Sequence, residues 1–297
     1  MNNNTPRVSI IVPCYNHEKF VKETIQSVID QDYQNIELII IDDGSKDSSV
    51  KVIEEMIPQC KERFARFEFR TRKNKGICFT LNEALDWCEG EFLTGVASDD
   101  TIKSYKTSVQ VDFLIKNTNS IGVFGGVEYL YEDTGVRVTN VSSNKKYAFK
   151  ELFLKKSDLL PGTSLLRTEA IRKLGGYKEA FLIEDWLLYL RLTEHGETLD
   201  YINQVMGTYR RHQNNFSSKP DLMLKGRLEI LRLFSDHPLY KKSLARIYMI
   251  AASNWVGIDF KKVLDCTFKA IKANYKTVFS KLFVTTIIRL LISIFKK

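Results

Sequence analysis

Two pairs of aspartates, each placed after an apolar run, constrain this chain more than any other feature. Asp42-Asp43 follows Ile36-Glu37-Leu38-Ile39-Ile40-Ile41, and Asp99-Asp100 follows Phe92-Leu93-Thr94-Gly95-Val96-Ala97-Ser98. A short apolar run bounded by turn residues reads as a buried strand. Carboxylates at the carboxyl end of such a strand stand in the crevice where open α/β sheets take their ligands. Two such clusters can hold a nucleotide at one and a divalent metal at the other. The competing reading makes Asp42-Asp43-Gly44-Ser45 a turn and helix cap, and Asp99-Asp100 a polar strand end. The surrounding sequence decides between the two.

That sequence alternates strands with helices. Val8–Val12 is a strand stopped by Pro13, and Lys19 to Asp30 has helical spacing at Phe20, Val21, Ile25, Val28 and Ile29. The strand at 36–41 is followed by cap residues at Ser45 to Ser48 and a helical face running to Pro58. A short strand at 67–71, a helix around 81–88 and a strand at 92–97 follow. The alternation predicts βαβ units and a mostly parallel sheet. Beyond Asp100 the pattern predicts a helix at 104–116 and strands at 121–124 and 127–131 closing a hairpin at Glu132-Asp133-Thr134-Gly135. It continues with a helix at 147–156, a strand at 163–167, a helix at 183–193 and a last strand at 205–210. From about 221 only helical patterns remain.

The 297 residues suit one large domain, or a domain with an extension. Five cysteines, at 14, 60, 78, 88 and 266, lack metal-type spacing and read as reduced thiols of a cytosolic protein. No amino-terminal signal peptide is expected, and no run reaches the roughly 18 apolar residues of a spanning helix. The net charge of +8 is unevenly distributed: Lys219 to Lys297 holds 16 Lys+Arg against 5 Asp+Glu, while residues 1–218 hold 28 against 31. The basic extension points to an anionic partner, either membrane lipid or nucleic acid.

Several motifs now fall into order. They are Val8-Ser9-Ile10-Ile11-Val12-Pro13-Cys14-Tyr15-Asn16, Gln31-Asp32-Tyr33 through Asp42-Asp43-Gly44-Ser45-Lys46-Asp47, and Asn74-Lys75-Gly76. Leu81-Asn82-Glu83-Ala84, Gly90-Glu91-Phe92, Ser98-Asp99-Asp100, Gly175-Gly176-Tyr177, Glu184-Asp185-Trp186 and Tyr209-Arg210-Arg211-His212 with Ser217 complete the series. In this order and spacing, over about 210 residues, the chain resembles the family 2 glycosyltransferases. The resemblance implies an α/β GT-A fold, which is Rossmann-like, with a mixed, mostly parallel sheet flanked by helices. It divides the chain into a nucleotide-sugar domain at 1–218 and a basic helical extension at 219–297.

The roles that follow are those the resemblance implies. Asp43 accepts a hydrogen bond from the uracil imide, the Pro13 carbonyl lies beside the base, and Tyr15 stacks on it or merely packs. Asn74, Ser98 and Asp99 join the nucleotide-sugar site, Asp99 through ribose or a metal-bound water, while Asp42 serves as contact or cap. Asp100 is the first choice as ligand to Mn²⁺ or Mg²⁺, which offsets the charge of the departing diphosphate. His212 is a further metal or phosphate contact, or else structural. The motif departs from Asp-x-Asp because Ser98 stands at its first position, and a hydroxyl is a weaker ligand than a carboxylate. Asp185 is the general base of an inverting transfer, or a helix cap. Glu184 orients the loop or the acceptor, and Trp186 lines the acceptor site or the core.

The Gln-x-x-Arg-Trp motif of processive synthases is absent after Asp185, so one sugar is expected per encounter. Leu282 to Phe295 is apolar apart from Thr285, Thr286, Arg289 and Ser293, and ends in Lys296-Lys297. This suits an interfacial helix, or one packed on the domain. Peripheral membrane contact would match a lipid-diphosphate-linked saccharide acceptor, as in transferases of bacterial O-antigen or capsule, at the inner face of the cell membrane. Two other readings compete. A sugar nucleotidyltransferase needs a Gly-rich loop where Pro13-Cys14-Tyr15-Asn16-His17 stands. A non-catalytic nucleic-acid-binding module would carry an aromatic-basic motif, which the chain lacks, so no nucleic-acid partner is expected.

Overall fold

The computed structural model of the chain describes residues 5–155, 159–213 and 215–295. These residues form two compact units. The first comprises residues up to Phe149, Asp158–Glu179 and Leu188–His212, and the second comprises Lys150–Ser157, Ala180–Leu187 and everything from Gln213. The second unit thus takes in two short segments besides the extension expected from 219.

The first unit begins β1 (Val8–Cys14), α1 (Val21–Ile29), β2 (Ile36–Asp42), α2 (Ser49–Arg63), β3 (Arg66–Thr71), α3 (Ile77–Trp87) and β4 (Phe92–Gly95). All seven residues of β2 are buried, which is why it reads as a continuous apolar run and not an alternating one. α1 turns Val21, Thr24, Ile25 and Val28 inward. The chain continues through β5 (Thr101–Ile102), α4 (Lys106–Lys116), β6 (Gly122–Tyr131), β7 (Arg137–Asn140), β8 (Lys145–Tyr147) and α5 (Phe149–Phe153). Then come β9 (Leu165–Arg167), α6 (Thr168–Lys173), α7 (Glu184–Thr193) and β10 (Leu199–Arg211).

The sheet order is β3-β2-β1-β4-β9-β6-β10-β5, with β7 paired to β6 and β8 to β10. β3, β2, β1 and β4 run parallel, and β9 is antiparallel to both β4 and β6. The expected α/β architecture is therefore present, as a mixed sheet. β1 lies between β2, which follows it in sequence, and β4 on its other side. That reversal is the switch point at which open sheets leave a crevice.

Several boundaries differ from the sequence pattern, for physical reasons. α2 passes through Pro58 to Arg63. Its last turn is held from outside: buried Cys60 anchors it, and the Arg63 guanidinium donates to the carbonyls of Ile29, Gln31 and Tyr33 at 3.0, 2.7 and 2.7 Å. Tertiary contacts thus offset the backbone bond that a proline removes. β6 is one strand, not two, because Gly125 and Gly126 continue it. A Cβ on Gly125 would sit 2.5 Å from the Gln204 carbonyl, and one on Gly126 2.8 Å from Val141 Cβ. The glycines mark close strand approach, not a break. β4 ends at Gly95, so Asp99 and Asp100 occupy a turn beyond the strand, closed by Asp100 N–H donating to Ala97 O at 2.9 Å.

The second unit contains α8 (Pro220–Arg232), α9 (Tyr240–Trp255), α10 (Phe260–Ala273) and α11 (Lys281–Phe295). Its core joins Ala245, Met249, Ala252 and Trp255 of α9 to Val263, Cys266 and Ala270 of α10 and Leu290 of α11. Among the described residues no helix is long and apolar enough to cross a membrane. All five cysteines are buried thiols, and burial pushes Cys60 and Cys88 up to about 12. Lys296-Lys297 lies outside the described residues.

Lys106, at the start of α4, is fully buried and donates from Nζ to Ser164 O (2.8 Å) and Thr94 Oγ1 (3.2 Å). Burial lowers it from 10.5 to about 7. Between those values the unfolded chain binds the proton and the folded chain does not, so this lysine makes stability rise with pH. In denaturant unfolding of wild type and Lys106→Met at pH 7, 8 and 9, the difference should move toward wild type by up to about 1.4 kcal/mol per pH unit. A difference that does not change with pH would show that Lys106 keeps its charge.

Candidate active site

The first unit's site is assembled at the carboxyl ends of β1, β2 and β4. The parallel register sets Cys14 beside Asp42 and Asp42 beside Thr71. The loops after β1, β2 and β3 therefore open on the same edge. Asp43 N–H donates to Cys14 O at 2.8 Å, extending the β1–β2 ladder by one bond.

Asp42 and Asp43 divide two tasks. Asp42 is fully buried; its Oδ1 accepts from Gly44 N–H (3.0 Å), Ser45 N–H (2.9 Å) and Thr71 Oγ1 (3.2 Å), and its Oδ2 from Ser45 Oγ. It shapes the turn. Gly44 has φ +81°, and a Cβ there would sit 2.7 Å from Asn74 N, so the turn and the Asn74 loop meet backbone to backbone. Asp43 accepts from Lys75 N–H at 2.8 Å on Oδ1 and Gly76 N–H at 2.9 Å on Oδ2, and its Oδ1 also pairs with Arg72. Three of about four lone-pair directions are used, which leaves room for one outside donor on Oδ2. Arg72 is itself set by Glu83, at 2.7 Å, and Thr80, at 2.9 Å. Pro13 lies in β1, while Tyr15 and Asn74 are exposed on the rim.

The second cluster forms across the switch point. His17, in the loop after β1, places Nδ1 2.7 Å from Ser98 Oγ and Nε2 3.8 Å from Asp99 Oδ2. His212, just past β10, places Nε2 3.0 Å from the same Asp99 oxygen. Ligand atoms of His17, Asp99 and His212 all lie within 4.8 Å of one another. The antiparallel register of β10 on β5 pairs Gly207 with Ile102 and Thr208 with Thr101. Carried two residues further, it brings Arg210 to the Asp99-Asp100 turn. The buried Arg210 guanidinium pairs with Glu23 and, at 2.7 Å, with Glu132, and its Nε donates to Asp99 O at 3.1 Å. Its backbone N–H donates to Asp100 Oδ1 at 2.9 Å. Phe20 stacks on His212 at 4.9 Å and carries the guanidinium over its ring at 4.9 Å.

This arrangement departs from the expectation that Asp100 meets the metal. Asp99, not Asp100, joins the histidines; Asp100 turns inward to cap the backbone of Arg210, and burial with the Asp99 charge pushes it well above the usual carboxylate range. Ser98 partners an imidazole. His17, Arg210 and Phe20 had no assigned role in the motif pattern. His17 is the one with a legible signal, since it sits two residues after Tyr15 in the loop that the switch point turns toward β4. Burial holds His17 below its ordinary value, opposed by Asp99 and reinforced by His212.

The second unit holds the other predicted group. Glu184 and Asp185 open α7, and Asp185 Oδ1 accepts from Trp186 N–H at 2.6 Å. Burial, together with the neighbouring Asp185 carboxylate, pushes Glu184 up to about 8. Trp186 is 2 % exposed, donates Nε1–H to Leu152 O at 3.0 Å and lies under Lys155. It belongs to the core, one of the two roles left open for it by the sequence.

The match to the family model of glycosyl transferase family 2 covers residues 9–175. The chain belongs to this family. It is a glycosyltransferase, and that membership sets aside the nucleotidyltransferase and binding-module readings. The chain is 29% identical over 259 residues to the Escherichia coli UDP-Glc:alpha-D-GlcNAc-diphosphoundecaprenol beta-1,3-glucosyltransferase WfgD, covering 86% of this chain and 94% of that one. Its fold is shared with residues 1–349 of S. aureus TarS solved with UDP-GlcNAc, at TM-score 0.66 and 19% identity over 90% of this chain and 81% of that one. A mannosyltransferase from Pyrobaculum calidifontis, solved with GDP-Man and Mn²⁺, matches at TM-score 0.60 and 14% identity over 99% and 89%.

Within the family 2 scaffold, Arg210 is the residue on which the Asp99 turn rests. Hydrogen bonds to charged groups contribute about 1.5–3 kcal/mol each. Arg210→Lys retains the charge but not the fork geometry, and is expected to lower Tm by about 5 °C in a thermal melt. An unchanged Tm would show that the guanidinium contacts are dispensable.

Proposed function

We propose that this glycosyltransferase transfers one sugar per encounter, with inversion, from a UDP-linked donor to a saccharide carried on a lipid diphosphate, in bacterial surface polysaccharide synthesis. The observation that carries the reading is the convergence of His17, Asp99 and His212 at the switch point, on the same sheet edge as the Asp43 loop. In this reading the free lone pair of Asp43 accepts the uracil imide, the Pro13 carbonyl and Tyr15 ring flank the base, and Asn74 and Ser98 line the donor. The acceptor class named for WfgD supports the lipid diphosphate. It also supports work at the inner face of the cell membrane, reached through the extension from 219.

Two imidazoles and one carboxylate, nitrogen-rich and leaving open positions, fit a divalent cation and favour Mn²⁺ over Mg²⁺. Held there by Asp99, His212 and His17, it would supply positive charge to the departing diphosphate. Asp185, at the amino end of α7 where an anion is stabilised, takes the proton of the attacking hydroxyl. Glu184, largely protonated near pH 7, donates a hydrogen bond to the acceptor.

Asp185→Asn is expected to lower transfer by about 10²–10⁴-fold while calorimetry shows the same affinity for UDP. Glu184→Gln, which resembles the protonated acid, should retain activity within a few-fold. Full activity in Asp185→Asn would remove it as the base. Asp99→Ala and His17→Ala should each abolish the Mn²⁺-dependent part of UDP binding, and metal-dependent binding that survives both would dissolve the cluster. A panel of UDP-sugars, assayed for hydrolysis and for transfer to a synthetic lipid-diphosphate sugar, would identify donor and acceptor.

A further inference from the structure

The second unit carries an apolar surface that its own core does not use. On α11, Thr286 and Leu290 are buried, while Val284, Ile288, Leu291 and Ile292 are exposed. The exposed set falls at i, i+4, i+7 and i+8, one stripe of a helix. α10 repeats the pattern. Val263, Cys266, Thr267 and Ala270 face its core, and Phe260, Leu264 and Phe268 are exposed at i, i+4 and i+8. In the turn Tyr275–Phe279 between the two helices, Phe279 is 83 % exposed. A surface helix ordinarily turns polar residues outward, and scattered apolar side chains need no account, but two ordered stripes do.

The charge around them is mostly of one sign: the acid within α10, Asp265, is paired with Lys269 at 2.6 Å. From Cys266 to Lys297 the sequence contains no Asp or Glu and seven Lys or Arg, among them Lys272, Lys276, Lys281 and Arg289. Apolar stripes bordered by cations match an anionic phospholipid surface, where acyl chains take the stripe and headgroups the cations. α11 has 15 residues, about 22 Å of helix, against the roughly 30 Å of a hydrocarbon core. It is long enough to lie along a bilayer and too short to cross one.

We propose that the exposed faces of α10 and α11, with Phe279 between them, form a docking surface for an anionic phospholipid bilayer. The stripes sit at the acyl boundary and Lys276, Lys281 and Arg289 among the headgroups. The inference rests on the reading of the extension as membrane-facing, and names the surface and the lipid class. It does not depend on the chemistry of the donor site.

The test is co-sedimentation of the full chain with vesicles of phosphatidylcholine alone or mixed with phosphatidylglycerol. Wild type is expected to bind the mixed vesicles, more weakly as salt rises, and the neutral ones poorly. Ile288→Glu with Leu291→Glu, and separately Leu264→Glu with Phe268→Glu, should each lower binding to mixed vesicles by at least about tenfold. These residues are exposed, so UDP affinity should stay at the wild-type value, which also reports that the variants are folded. Failure of wild type to bind anionic vesicles, or equal binding by both double variants, overturns the proposal. So does light scattering that shows a dimer split by the same substitutions, since a second copy would then cover the stripes. Absence of vesicle binding with UDP-sugar hydrolysis intact overturns only this inference. Vesicle binding without turnover of any UDP-sugar overturns only the UDP-donor reading.

Discussion

Arg210 ties together groups that the sequence keeps far apart. Its guanidinium reaches Glu23 from α1 and Glu132 from the β6–β7 turn, and its Nε and backbone N–H hold Asp99 and Asp100. A buried guanidinium is costly to desolvate unless its donors are matched. Here Nε, Nη1 and Nη2 each meet an acceptor, and the Phe20 ring covers one face. The residue also sits two positions before His212, so the contacts that fix the Asp99 turn also fix the imidazole that meets it. Asp99 has no strand of its own to hold it, because β4 stops at Gly95. The turn is therefore held by the bonds β10 brings to it and by Thr24 of α1, whose Oγ1 donates to Asp100 O at 2.7 Å.

The sheet order explains why the histidines meet at Asp99. β1 is flanked by β2 and β4, so the loop leaving β1 must emerge between the two Asp-Asp clusters. His17 lies in that loop. Its amide is held by Ser49 Oγ at 2.9 Å and its ring by Ser98. Ser98 stands where a carboxylate would be the stronger ligand. As a hydroxyl against Nδ1 it orients the imidazole so that Nε2 faces Asp99, the kind of outer contact that sets a ligand's direction. The departure from Asp-x-Asp thus places a hydroxyl against an imidazole from another loop, beside Asp99.

Much of the fold was legible in the sequence, because its strongest signals are local. The buried run of β2, the helical spacing of α1 and the turn before Gly135 each follow from short patterns that the structure repeats. What escaped depends on contacts distant in sequence. α2 survives Pro58 because Arg63 reaches three carbonyls near Tyr33. β6 keeps its glycines in line because β10 and β7 approach them. The site divides in the same way. The Asp43 loop could be placed from its motif, since its partners Lys75 and Gly76 belong to the neighbouring motif. Asp99 and Asp100 could not be told apart, because adjacent residues on a turn face opposite ways and only the register of β10 decides which is turned inward.

The same reasoning separates the three residues that open α7. Glu184, Asp185 and Trp186 are consecutive, yet successive helical positions point about 100° apart, so a run of three cannot share one surface. Trp186 takes the inward direction, with its indole N–H given to Leu152. Asp185 turns to the helix start, where its Oδ1 accepts from the Trp186 N–H. Glu184 keeps its proton near neutrality because burial and the Asp185 charge both oppose ionisation. A carboxyl kept protonated by burial beside a second carboxyl is one way to divide acid from base among like residues.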